Sequence, residues 1–129
     1  MDLNRFTEKA QDALRAAQSK AVRYGNQQFD IEHVLAALLE ESEGLAPAIL
    51  AKAGVPAAEL RRRVEQEIER LPKVSGPGSG PDQMYVTGRL NRLLTQAEDE
   101  ARQLKDEYVS IEHLLLAMTD DGGASGRLF

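Results

Sequence analysis

Cysteine and tryptophan are both absent from the 129 residues. Without thiols there is no disulfide framework, no thiolate nucleophile and no cysteine zinc site, which suits a reducing compartment and sets the cytoplasm as the expected location. Aromatics are scarce, with three Tyr and three Phe, so a core has to be built from aliphatic side chains. Cationic residues are not in surplus either. Sixteen Lys and Arg stand against 21 Asp and Glu, a net charge of -5, whereas binding to nucleic acid draws on a concentrated basic excess that releases counterions. Nucleic acid is therefore not an expected partner. Met1 to Phe6 reads MDLNRF, acidic at the second position and followed by no apolar run, so neither a secretory signal nor a spanning helix is expected. No G-x-S-x-G elbow occurs and no Ser or Thr sits in a motif with either of the two His, which leaves hydrolase chemistry without support.

What is present favours helix. Ala, Leu, Glu, Arg and Gln, the stronger helix formers, dominate, and the length fits one domain able to bury a core without metals or disulfides. The chain is also written twice. Sliding it by 80 residues aligns Phe6–Glu41 with Val86–Asp121 without a gap, and nine of the 36 pairs are identical, against about two expected from average composition. The identities include Thr7/Thr87, Leu14/Leu94, Ile31/Ile111, Glu32/Glu112 and His33/His113.

Each copy opens with a helical stripe, Leu3, Phe6, Ala10, Ala13, Leu14, Ala17, Ala21 and Tyr24 in the first, and Val86, Leu90, Leu93, Leu94, Ala97, Ala101 and Leu104 in the second. Short connectors follow, GNQQFD and KDEYVS, ending in Asp30 and Ser110 as expected N-caps. The next helices bury Ile31, Val34, Leu35, Leu38 and Leu39, and Ile111, Leu114, Leu115 and Met118, with Leu116 off the stripe. In the first copy a further helix runs to Ala53, where Gly54 supplies the left-handed stop. Pro56 then sets the first turn of another, Ala57 to Leu71. The expected architecture is all-α, two pseudo-symmetric four-helix repeats with the second truncated at the C-terminus. Repeat one spans 1–71, a mobile Pro- and Gly-rich connector 72–85, and repeat two 86–129. The connector lacks the Gly-Lys-Ser/Thr of a phosphate-binding loop.

Individual polar residues have structural readings beside functional ones. Thr7 and Thr87 stand where a hydroxyl caps a helix. Glu32 and Glu112 lie two residues past their caps, where a helix dipole favours a carboxylate by ~0.3–1 kcal/mol. His33 and His113 invite a metal, but a helical carboxylate site needs Glu-x-x-His, and here Glu directly precedes His. No metal is expected, and a packing or hydrogen-bonding role is. Arg61, Arg62 and Arg63 are followed by Glu65, Glu67 and Glu69 at helical spacing, a mixed solvated face.

Several segments resemble the double Clp amino-terminal repeat of the ClpB-type AAA+ disaggregases: FTEKAQDAL at Phe6–Leu14, FDIEHVLAALL at Phe29–Leu39, GLAPAILAKAGV at Gly44–Val55, LPKVSG at Leu71–Gly76 and KDEYVSIEHLLLAM at Lys105–Met118. The resemblance implies a non-catalytic domain, a monomer by itself, that precedes two ATPase modules in a hexamer. It also implies binding of unfolded or aggregated client polypeptide and assistance in its delivery to a threading ring. ATP and magnesium would be held by the ATPase modules, none in this segment, and the Hsp70 system would be met through other domains. Family residues engaged with client map onto Thr7, Asp106 and Glu112, with Leu94 as the match in an adjoining apolar groove, while Gln96 and Glu100 stand where relatives have leucine. The alternative the resemblance leaves open is the adaptor-docking domain of a protease-coupled Clp ATPase.

Overall fold

A computed structural model of the chain describes residues 3–40, 44–73 and 85–119. The Pro- and Gly-rich stretch 74–84 and the segment after Thr119, which the sequence marks as connector and truncated repeat, lie outside the described residues.

Among the described residues six α-helices carry the fold: α1 Glu8–Arg23, α2 Ile31–Glu40, α3 Leu45–Lys52, α4 Ala57–Glu69, α5 Gly88–Gln103 and α6 Ile111–Thr119. Helices α1 and α5 are each 16 residues long and start 80 residues apart, so the internal repeat is one of structure as well as sequence. Both are started by a threonine. Thr7 Oγ1 accepts from Ala10 N at 3.2 Å and Thr87 Oγ1 from Leu90 N at 3.1 Å, each satisfying one free amide of the first turn. Their stripes differ in size. Ala10, Leu14, Ala17 and Ala21 let α2 approach α1 closely, whereas Leu90, Leu93, Leu94, Ala97 and Ala101 face α6.

Helix α2 is the centre of the core. Every residue from Ile31 to Leu39 is buried, because α1, α4, α3 and α5 all pack against it. A helix so enclosed reads as apolar nearly all round, as IEHVLAALL does. Leu60, Val64 and Ile68 form the inward stripe of α4, and Pro56 precedes that helix at its cap rather than inside its first turn.

Three helices stop in the same way. Behind α1, α3 and α5 the amide two residues past the cap returns to the carbonyl five positions back, as in Asn26 N to Ala21 O, Val55 N to Leu50 O and Asp106 N to Ala101 O. The turn residue takes a positive φ at Gly25 (73°), Gly54 (80°) and Lys105 (61°). Lys105 is the one non-glycine of the three.

Phe6 and Val86, expected on the opening helical stripes, lie before the helices instead. Val86 belongs to a two-residue strand β2, Tyr85–Val86, that pairs in parallel with β1, Gln28–Phe29, and Phe6 bridges Val109 in parallel. Each repeat thus begins by pairing its first segment with the connector of the other, 80 residues out of phase. Thr87 N to Phe29 O at 3.1 Å has its mirror in Thr7 N to Val109 O at 2.9 Å.

Candidate functional site

The crossed ladders put the start of α1 beside the start of α6, and the start of α5 beside the start of α2. Two homologous polar constellations result, and they have different fates.

Both are organised by histidine. The backbone N–H of Asp30 donates to His33 Nδ1 at 3.0 Å while His33 N–H donates to Asp30 O at 3.1 Å. The imidazole does what Glu or Gln does at the third position of a capping box. Since a backbone amide can only donate, Nδ1 is the bare nitrogen and the proton sits on Nε2, which donates to Asn26 Oδ1 at 2.9 Å. Burial holds the His33 pKa below its ordinary value; the carboxylate of Asp30 pulls the other way. In the second copy Ser110 N–H donates to His113 Nδ1 at 2.8 Å and His113 Nε2 donates to Asp106 Oδ2 at 2.9 Å. All four ring nitrogens are committed to these bonds.

In the first constellation the molecule supplies its own cation. Asp30 Oδ1 accepts from Thr87 Oγ1 at 2.8 Å, and the Arg89 guanidinium reaches Asp30 Oδ2 at 3.0 Å and Glu32 Oε1 at 3.2 Å. Glu32 is 2% exposed. Its pKa is raised, first by burial and then by the neighbouring Asp30 charge, with Arg89 opposing. Two carboxylates share one guanidinium, and the site is closed.

The second constellation has the same plan and stays open. Thr7 stands for Thr87, Lys9 for Arg89, Ser110 for Asp30 and Glu112 for Glu32. Thr7 keeps its capping bond and its backbone link to Val109, but Ser110 offers no carboxylate and Lys9 and Glu112 are both exposed. Neither of these two makes a hydrogen bond or ion pair among the described residues. The structure therefore places Thr7 and Glu112 at the start of α6, Thr7 through its backbone bond to Val109, and ties Asp106 to the same helix through His113. Leu94 is set apart from them: it is buried on the inward stripe of α5.

Next to this open site lies a cleft of about 420 Å³ between α1, α2, α3 and α6. Ala13, Ala16, Leu38, Leu45 and Ile111 give it an apolar lining, and Lys9, Asp12 and Glu40 stand around it. Leu94 is not among its lining residues. Neither Lys9 nor the cleft is signalled by periodicity. Lys9 becomes visible only by reading Arg89 through the 80-residue register, and the cleft depends on how α3 returns against α6.

The structure is a helical scaffold written twice, with one polar site closed on itself and one left open beside a cleft of mixed apolar and charged lining. The chain matches the Clp repeat (R) N-terminal domain family over residues 5–129, and it belongs to that family. It is 46% identical to the chaperone protein ClpB of Nitratidesulfovibrio vulgaris over 99% of its length, and 44% identical to that of Bacillus anthracis over 100%. It spans 15% of the length of both relatives. The fold is that of the Hsp104 N-terminal domain from Candida albicans, with a TM-score of 0.82 and 24% identity over 96% of this chain and 79% of that one. It is likewise that of the N-terminal domain of the ClpV1 ATPase from E. coli, with a TM-score of 0.80 and 23% identity over 98% and 72%.

Proposed function

We propose that the chain is the client-gripping amino-terminal domain of a ClpB-like disaggregase, holding unfolded or aggregated polypeptide and assisting its delivery to an ATP-driven threading ring. The observation that carries this reading is the asymmetry of the two constellations. Where Glu32 is buried against Arg89, Glu112 is exposed and unpaired, next to a cleft partly lined by Ala13, Ala16, Leu38, Leu45 and Ile111. Thr7, Asp106 and Glu112 give polar contacts about the N-terminus of α6, and the neighbouring cleft receives the apolar side chains; Leu94, buried on the stripe of α5, serves packing.

A shallow site of this kind discriminates little between sequences. Full burial of one apolar side chain is worth ~1.5–3 kcal/mol, so one domain holds a client weakly, and tight holding comes from several domains acting on one chain. Titrating the ¹⁵N-labelled domain with an unfolded protein tests the proposal. Amide shifts are expected to cluster at Thr7, Lys9, Asp106 and Glu112 and along the cleft at Leu38 and Leu45; a titration that moves none of these overturns it.

A further inference from the structure

We propose that His113 is the positioning residue of the client site: it straps the connector Leu104–Tyr108 onto α6 so that Asp106 presents a free carboxylate oxygen between two exposed apolar side chains. The inference rests on the client-binding reading above and assigns that site a part it does not include.

The first repeat supplies the comparison. Its connector has the same turn, the same histidine and the same hydrogen-bond pattern, but it is built to be covered. Gly25 takes the positive φ, neutral Asn26 is 3% exposed and receives His33 Nε2–H, and Asn26 Nδ2 donates to Pro72 O at 3.0 Å. The second connector reverses each of these features. Lys105 takes the positive φ that Gly25 takes without cost, a conformation that burdens any residue bearing a Cβ. Asp106 replaces Asn26 with its side chain 53% exposed, and Leu104 and Tyr108 are 60% and 52% exposed where the first repeat has half-buried Tyr24 and polar Gln28. Strain in a connector together with apolar side chains in solvent marks a surface kept for contact.

His113 is 3% exposed and makes two hydrogen bonds that tie the connector to α6. Nδ1 accepts from the N–H of Ser110, the residue before α6, and Nε2–H donates to Asp106 Oδ2 at 2.9 Å. Asp106 Oδ1 has no partner among the described residues and faces solvent. Within the connector itself Asp106 and Glu107 are exposed against one cation, Lys105, so the strip that carries Leu104 and Tyr108 is acidic, while exposed Glu112 stands across from exposed Lys9. Its occupant by charge complementarity is an extended client segment carrying a basic side chain beside an apolar one.

The test compares the two histidines. An unstructured synthetic peptide of leucine, serine and lysine is titrated into the 129-residue chain and into His33→Ala and His113→Ala, at a temperature where all three are folded. Both variants lose a cap and a strap, so both lose stability, but peptide affinity is expected to fall about fivefold or more in His113→Ala and to stay within about twofold in His33→Ala. His113→Glu, whose carboxylate can still accept from Ser110 N–H as in a capping box but has no N–H to give Asp106, guards against misfolding and is expected to show the same loss. Asp106→Asn, which still accepts from His113, is expected to weaken binding of this peptide but not of one with serine in place of lysine. Equal losses in the His33 and His113 variants overturn the inference as a stability effect. Unchanged affinity in the His113 variants, alongside weakened binding in Glu112→Gln, overturns it while leaving the client-binding reading intact. No binding to the unsubstituted chain overturns both.

Discussion

At the scale of single residues the two histidines show how a functional-looking pattern can be structural first. Glu-His at the same place in both repeats is conspicuous in the sequence, and the sequence also shows why a helical metal site does not follow. The capping role was not legible, since it depends on Nδ1 meeting an amide three residues back, a geometry for which glutamate and glutamine are the usual residues. Burial of His33 has a measurable consequence. Its folded pKa is depressed, so its contribution to stability is present above the ordinary value of 6.5 and is lost as pH falls through the depressed one, because the unfolded chain takes up a proton that the folded chain refuses. His33→Gln keeps an acceptor for Asp30 N–H and has nothing to titrate. Urea unfolding from about pH 7 to about pH 5 should therefore show a shallower fall in stability for this variant than for the unsubstituted chain; parallel slopes would remove His33 as a source of acid sensitivity. Lys105 carries a second expectation. A left-handed conformation costs a non-glycine residue ~1–2 kcal/mol, offset in part by the ~0.5–1 kcal/mol of entropy that glycine loses on folding. Lys105→Gly should accordingly stabilise the chain by about 0.5–1 kcal/mol in the same urea experiment.

At the scale of elements, helices were readable and strands were not. The stripes of α1, α4, α5 and α6 follow a 3.6-residue period, α2 exceeds its expected stripe by being buried all round, and Gly54 marks the end of α3 as expected from its place after the last apolar residue. Phe6 and Val86 fit the same period although they lie before the helices. Their true partners, Val109 and Phe29, are in the other repeat, and a ladder of one or two residues is too short to leave an alternating pattern. The Phe29–Val86 ladder is reinforced by the Asp30–Arg89–Glu32 cluster, which joins the start of α5 to the start of α2. Arg89→Ala leaves two buried carboxylates facing one another without their cation. Breaking a buried pair costs ~3–5 kcal/mol, and since the Arg89 side chain is 31% exposed the lower end, about 3 kcal/mol, is expected. Lys9→Ala, the same change at the matching position of the open constellation, should fall within about 0.5 kcal/mol of no effect. A similar loss in both variants would mean that the two constellations are not unequal in the way the structure shows.

At the scale of the whole molecule, duplication explains why one site is open. A pseudo-symmetric pair of helical repeats makes two equivalent junctions, and the same plan of threonine, cation, cap and glutamate was laid down at each. Two substitutions separate their present states: aspartate at the cap in one, serine in the other, and arginine against lysine. Serine removes the carboxylate that anchors the cation, and lysine lacks the planar fork with which arginine spans two acids at once. The closed state can therefore be transplanted. Lys9→Arg combined with Ser110→Asp gives the second junction every side chain of the first, with Thr7 and Glu112 already in place. The double variant is expected to gain about 1 kcal/mol of stability, more than the sum of the two single changes, as a bridging guanidinium requires both partners. Its affinity for unfolded polypeptide should fall about fivefold or more, because Glu112 would be occupied from within. A double variant that is stabilised yet still binds clients unchanged would place the grip elsewhere on the domain, away from the N-terminus of α6.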